Sequence, residues 1–178
     1  QDEIAKKRQY QLDQIQLDID NSSEISAIND AKKENAKSAN EKNSILNNEI
    51  NNLGKYYEYQ KKLVQVQYGK KSEKALNELA RLEEERKKKL NDIAIEQHQN
   101  TVDELDRNNE ALEAQKQNLK TAVEKNAVIE QQKPIVEKTY AEQIAIAKLQ
   151  YGNNSDEVKK LQEEQKSKLN DLAIEQHQ

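Results

Sequence analysis

The chain ends in KSKLNDLAIEQHQ (Lys166–Gln178), and nearly the same thirteen residues, KKKLNDIAIEQHQ, run from Lys87 to Gln99. A fainter copy, LDQIQLD, begins at Leu12, and the offset from it to the Lys87–Gln99 copy is nearly the same as the offset from Gln99 to Gln178. Self-similarity at a fixed period is typical of tandem repeats. We therefore interpret residues 1–20 as the end of a preceding helical repeat. Residues 21–99 form repeat 1 and residues 100–178 form repeat 2.

The composition indicates helices rather than a thick globular core. Apolar residues make up 34% of the chain and charged residues 35%, whereas ordinary domains have roughly 45–50% and 25%. Such polarity is also typical of disorder, but the chain is rich in helix formers and has only three Gly and one Pro. We predict an all-α fold with thin, coiled-coil-like packing.

Charge and cysteine content narrow the function classes. The net charge is −4 with acids and bases interspersed, which provides no basic patch for nucleic acid. No cysteine is present, so disulfides and thiolate metal sites are excluded. No apolar run is long enough to span a membrane. We expect the sequence to be the ordered part of a longer repeat protein.

Two related blocks predict helical hairpins. KYYEYQKKLVQVQYG ends at Gly69, and KTYAEQIAIAKLQYG ends at Gly152. Glycine after the last helical residue adopts the left-handed conformation that ends many helices. Ser72 and Ser155 follow as N-caps for the next helix. The sequence therefore predicts long helices in hairpins that turn at each Tyr-Gly pair.

Further helix interruptions are expected at four places. Gly54 and Pro134 are unfavourable inside helices, so a kink or short turn is predicted near each. The segments Asn21–Glu24 and Thr101–Glu104 resemble capping boxes, which predicts that a helix restarts or bends there. A continuous helix across these two segments is the alternative.

Apolar spacing predicts the packing faces. In repeat 2, leucines recur every seven residues, and a second seam position is partly polar, as in a coiled coil of restricted register; a surface helix with a leucine stripe is the alternative. The two seams are Leu105, Leu112, Leu119 and Val102, Asn109, Lys116, Val123. Repeat 1 is more weakly amphipathic, and its predicted apolar positions are Ile25, Ile28, Ala39, Leu46, Ile50 and Leu53.

No arrangement of residues predicts chemistry. His98 and His177 are the only histidines, and neither has a second ligand at helical spacing, so we interpret both as solvent histidines. Tyr68 and Tyr151 are expected to cover the hairpin turns. We predict no catalytic, cofactor-binding or metal-binding residue, no cofactor and no enzymatic activity.

The block YAEQIAIAKLQYGNNSDEVKKLQEEQKSKLNDL (Tyr140–Leu172) and its partner from Tyr57 to Ile93 resemble the helical repeats of phage-tail tape-measure and related long coiled-coil proteins. In that family, long Lys/Glu/Gln/Ala-rich helices carry a Tyr-Gly-polar-Ser/Thr turn. The resemblance implies a structural spacer that fixes length, assembles as an oligomer and resides in a virion tail. The chain lacks the aromatic, glycine-containing hydrophobic segments of that family.

The sequence therefore predicts a non-enzymatic spacer or scaffold in an extended assembly. The alternative is a secreted or cell-surface helical-repeat module that binds a protein partner. Sparse apolar seams also predict self-association, or packing against other helical proteins. No small-molecule substrate, nucleic acid or membrane span is expected.

Overall fold

The computed structural model describes all 178 residues as five α-helices without any β-strand. The chain is all-α, as the sequence predicts. The helices are α1 (Asp2–Asn35), α2 (Ala39–Tyr68), α3 (Glu73–Gln117), α4 (Ala122–Tyr151) and α5 (Asp156–His177).

Helices α2 and α4 end in the same way. Each has tyrosine as its last residue, followed by a glycine with positive φ: 81° at Gly69 and 98° at Gly152. The next helix then begins behind a serine cap. The Ser72 hydroxyl accepts the Ala75 N–H at 3.1 Å, and the Ser155 hydroxyl accepts the Val158 N–H at 3.3 Å.

Helices α2 and α4 also begin at equivalent positions. Both contain 30 residues. The offset in sequence from Ala39 to Ala122, their first residues, therefore equals the offset from Tyr68 to Tyr151, their last residues. The step from Glu73, which begins α3, to Asp156, which begins α5, is the same again. We call this common step, which also joins Gly69 to Gly152, the Tyr-Gly period. It is the structural period of this part of the chain.

The predicted short turns near Gly54 and Pro134 are wrong. Gly54 lies within α2 and Pro134 within α4. An interior glycine costs only about 1 kcal/mol relative to alanine, and an interior proline roughly 3 kcal/mol. Buried neighbours on both sides hold these helices together. They are Leu53 and Tyr57 in α2, and Ile129 and Val136 in α4.

The capping-box segments are not helix starts, and the continuous alternative is the correct one. Asn21–Glu24 lies inside α1 and Thr101–Glu104 inside α3. The Thr101 hydroxyl donates to the Gln97 carbonyl, which is the bond that a threonine makes inside a helix. The sequence divisions after residues 20 and 99 thus fall inside helices.

The actual interruptions before α2 and α4 were not predicted. They follow Asn35 and Gln117. The Thr121 hydroxyl caps α4 by accepting the Glu124 N–H at 3.2 Å. Before α2, the Lys37 N–H donates to the Glu41 carboxylate at 3.1 Å.

The chain forms two compact units. Unit 1 comprises residues 1–37 and 41–93, and unit 2 comprises residues 38–40 and 94–178. Helix α3 contributes residues to both. The apolar core of unit 1 is formed by α2 and α3 and consists of Leu46, Leu53, Tyr57, Val64, Ala75, Leu82 and Ile93.

Unit 2 has a smaller apolar cluster. Its buried members are Ile129, Val136 and Leu172, with Tyr140 and Leu169 packed against them. Helices α4 and α5 therefore pack against each other. None of the five helices combines the length and the apolar character that crossing a membrane requires.

Candidate functional site: two buried polar layers

The inward face of α1 becomes polar towards its C-terminal half. Ser22 and Asn29 are buried on α1, seven residues apart, and Ser26 between them is half-buried. The predicted apolar positions Ile25 and Ile28 point outward instead, with exposed fractions of 46% and 52%. The prediction for α1 was wrong because the buried residues of this segment are not the apolar ones.

These α1 side chains bind two buried residues of α2. The Glu49 carboxylate accepts from the Ser26 hydroxyl at 2.6 Å and from the Asn29 amide at 2.7 Å. The Asn52 amide accepts from the Ser22 hydroxyl at 2.9 Å and donates to the Ser22 carbonyl at 2.8 Å. We call these five residues the Glu49 layer. Because buried polar groups need partners, the layer fixes the register of α1 against α2.

In α3, the predicted polar seam does face inward. Val102 and Lys116 are buried, and Asn109 between them is half-buried. The seam ends there, however, because α3 ends at Gln117. The predicted final position, Val123, lies in the first turn of α4 and is 81% exposed.

Lys116 is the centre of the polar cluster in unit 2. Its Nζ lies 3.0 Å from the Glu113 carboxylate and 2.8 Å from the Glu175 carboxylate. It also donates to Gln132 Oε1 at 3.1 Å. The three acceptors match the three protons of the ammonium group, so a buried cation is fully paired.

Gln132 joins this cluster to the seam of α3 and is only 1% exposed. Its amide nitrogen donates to Asn109 Oδ1 at 3.2 Å and to Glu113 Oε2 at 2.9 Å. We call the set the Gln132 layer: Asn109, Glu113, Lys116, Gln132 and Glu175. It connects α3, α4 and α5, whereas the Glu49 layer connects only two helices.

The Gln132 layer shifts the pKa values of Lys116 and Glu113. Burial acts to lower the pKa of Lys116, but the carboxylates of Glu175 and Glu113 outweigh burial, and the pKa is raised. The pKa of Glu113 is lowered, first by its hydrogen bond from Gln132 and then by Lys116. Both groups are therefore held in their charged forms.

The two histidines lie in different surroundings. Nδ1 of His98 contacts the Glu142 carboxylate of α4, and the ring is half-buried. The interpretation as a solvent histidine is therefore wrong for His98, because a carboxylate of another helix contacts its ring. His177 is exposed at the end of α5. No cluster of three or more His, Asp or Glu side chains is arranged to hold a metal ion.

Unit 1 also has an open groove between α2 and α3, with a volume of about 720 Å³. We call it the Gly54 groove. A Cβ atom at Gly54 would meet nothing within 4 Å. The lining residues are Gly54, Tyr57, Glu58, Lys61, Leu79, Leu82, Glu83 and Arg86. The Tyr57 hydroxyl is buried without a hydrogen-bond partner.

The two layers provide pairing specificity between helices. A hydrogen-bonded polar seam tolerates one register, whereas an apolar seam tolerates several. Sequence analysis identified Asn109 and Lys116 through their seven-residue spacing, but it missed Glu49 and Gln132. Helical spacing was the available signal, since Leu46, Glu49 and Leu53 are three and four residues apart.

The chain matches no protein family, no curated protein and no solved structure.

Proposed function

We propose that this chain is a structural, non-enzymatic spacer in an extended assembly, as the tape-measure resemblance implies. The observation that carries the proposal is the congruence of α2 and α4 at the Tyr-Gly period, since the two helices share length, start and Tyr-Gly end. A repeat that reproduces helix boundaries residue for residue adds a constant structural increment.

The continuity of α3 supports the same role. Its 45 residues span roughly 68 Å at about 1.5 Å per residue. It carries residues of both units without an interruption. A long uninterrupted helix has a defined length, which is the requirement for a spacer.

The test inserts a second copy of residues 73–155 after Ser155, which places Glu73 behind the serine cap in the position of Asp156. The insertion adds one full Tyr-Gly period. The second Gln132 layer keeps Glu175, whereas the first has the copy of Asp92 at that position. Small-angle scattering at dilute, monomeric concentration measures the radius of gyration. A spacer predicts growth nearly in proportion to length, by roughly 45%, whereas compact packing predicts only about 15%.

A helical-repeat module that binds a protein partner is the second candidate. Its supporting observation is the exposed apolar surface of α1, which carries five of the eleven exposed large apolar side chains. Under this function, the inserted repeat leaves partner binding unchanged, and substitutions on α1 abolish it. Growth of the radius of gyration by only about 15% would reject the spacer.

A further inference from the structure

Helix α1 carries a second apolar face, opposite its buried seam. Tyr10, Leu17 and Ile28 have exposed fractions of 66%, 52% and 52%. Their spacings of seven and eleven residues place them within about 20° of one another around the helix. We call this stripe the α1 outer face. Buried Ile19 lies on the opposite side, so α1 has apolar side chains towards the core and towards solvent.

Charge disfavours the pairing of two such faces with each other. Residues 9–31 contain five acids and no base: Asp13, Asp18, Asp20, Glu24 and Asp30. Two α1 helices packed side by side would align these acids, and like charges across an interface disfavour association. The partner of this face is therefore basic.

The Gly54 groove has the complementary properties. Its apolar part includes Tyr57, Leu79 and Leu82. The surrounding segments, residues 54–62 and 79–90, contain eight Lys and Arg against four Glu. Lys61 and Arg86 line the groove, and Nζ of Lys89 lies 5.8 Å from the ring centre of Tyr57. An acidic helix with an apolar stripe fits an apolar groove with a basic border.

The groove is also free within its own unit. Gly54 lies roughly 150° around α2 from Glu49 and Asn52, which face α1. The α1 helix of the same unit therefore packs against a different side of α2. Glu137 occupies the equivalent position in α4, one Tyr-Gly period later, so a side chain stands there where α2 has none.

We propose that the α1 outer face of one chain docks into the Gly54 groove of a second copy of the chain. The two surfaces differ, so the contact is heterologous, and successive copies join head to tail. This inference goes beyond the spacer role and does not depend on it. A dilute chain that fails the insertion test can still associate, and a monomeric chain can still pass it.

The test compares wild type with two variants by sedimentation velocity over a range of concentrations. Gly54→Gln fills the groove, and Leu17→Gln/Ile28→Gln removes the apolar outer face. We expect each variant to weaken association by roughly tenfold or more. High salt should weaken the association of wild type, because opposite charges border the contact. Matched controls are Glu137→Gln and the exposed Ile174→Gln, both in unit 2, which should associate as wild type does.

Folding is monitored separately by circular dichroism. Glutamine is a better helix former than glycine, and the space at Gly54 is open. The melting temperature of Gly54→Gln should therefore equal or exceed that of wild type. Lost association is then not explained by unfolding.

Mixing the two variants decides the geometry. The Gly54→Gln chain keeps its α1 outer face, and the double variant keeps its groove, so the mixture should form 1:1 dimers that do not extend. A Gly54→Gln chain that still associates as wild type would show α1 self-pairing and overturn the proposal. A mixture that stays monomeric would also overturn it. A wild-type chain that is monomeric at every concentration would exclude a second copy as the occupant.

Discussion

Glu49 and Gln132 occupy equivalent positions in α2 and α4, one Tyr-Gly period apart, but they are held in different ways. Asn29 contacts Glu49, and Asn109 contacts Gln132. The remaining partners differ. Glu49 accepts from a serine hydroxyl, whereas Gln132 donates to a carboxylate and accepts from a buried ammonium group.

The difference shows how two repeats with the same helix boundaries can keep separate partners. Apolar seams of tandem repeats are interchangeable, because one leucine packs much like another. Buried polar groups are not interchangeable, since each needs a matching donor or acceptor. If α2 paired with the C-terminal half of α3, Glu49 would meet Glu113 where Gln132 now donates to it. We therefore expect the layers to oppose exchange between repeats.

The largest effect is expected from removing the side chain of Gln132. Gln132→Ala leaves a cavity and deprives Lys116, Asn109 and Glu113 of a partner. We expect a loss of roughly 3 kcal/mol in the free energy of unfolding, measured by urea denaturation. Gln131→Ala, at an exposed neighbouring position, is the control and should change stability by less than about 0.5 kcal/mol. A loss below about 1 kcal/mol for Gln132→Ala would show that the layer carries little stability.

Exchanging the residue types of Glu49 and Gln132 tests whether the two layers differ in chemistry or only in sequence. Gln132→Glu places a carboxylate against Glu113 in a buried site, and we expect a loss of about 2 kcal/mol. Glu49→Gln should cost less than about 1 kcal/mol, because the Ser26 hydroxyl can rotate and the Asn29 amide can flip. Equal losses for the two variants, by the same denaturation assay, would contradict the distinction between the layers.

The limits of sequence analysis are clearest in α1. Leu12, Ile15 and Ile19 lie on the inward seam, and the same three- and four-residue spacing continues through Ser22, Ser26 and Asn29. Apolar pattern alone selected Ile25 and Ile28, which are exposed. Extending the spacing through polar residues would have located the seam. It would not have identified the partners of those residues, which lie on another helix.

Helix boundaries show a second limit. Six segments carry a Ser, Thr or Asn followed three residues later by Glu. Asn21–Glu24, Thr101–Glu104 and Thr139–Glu142 lie inside helices, whereas Ser38–Glu41, Thr121–Glu124 and Asn154–Glu157 span helix starts. Ser38–Glu41 and Thr121–Glu124 are separated by one Tyr-Gly period, whereas the step from Asn21–Glu24 to Thr101–Glu104 is shorter. The shared period distinguishes a helix start from a chance match. The local motif by itself does not.

Protonation provides a third and smaller way to perturb the Gln132 layer. The pKa of Glu113 in the folded protein lies below its ordinary value of 4.5. The contribution of Glu113 to the free energy of unfolding is therefore complete above pH 4.5, and it is lost as the pH falls through the folded pKa. Glu113→Gln should therefore reduce stability at neutral pH and weaken the dependence of the unfolding free energy on acid pH.

Asp106→Asn is the matched control for this titration, because the pKa of Asp106 is shifted in the opposite direction to that of Glu113. Burial and then Asp103 raise the pKa of Asp106 above 3.8. A carboxyl with a raised pKa destabilises the folded state at neutral pH and is relieved by acid. Asp106→Asn should thus increase stability at neutral pH. A decrease, or an unchanged acid dependence in Glu113→Gln, would show that these shifts do not govern stability.

The smallest expected effect concerns Tyr57 and Tyr140, which are also equivalent and one Tyr-Gly period apart. Tyr57 is 5% exposed and its hydroxyl has no partner, whereas Tyr140 is only half-buried. Tyr57→Phe removes a buried, unpaired polar group, so the free energy of unfolding should rise by about 0.5–1 kcal/mol. Tyr140→Phe should change it by less than about 0.5 kcal/mol. Both are measured by urea denaturation at dilute concentration, where association does not contribute. If Tyr57→Phe were instead destabilising, its hydroxyl would have a partner in solution, such as a bound water. The apolar core of unit 1 would then contain a polar contact of its own.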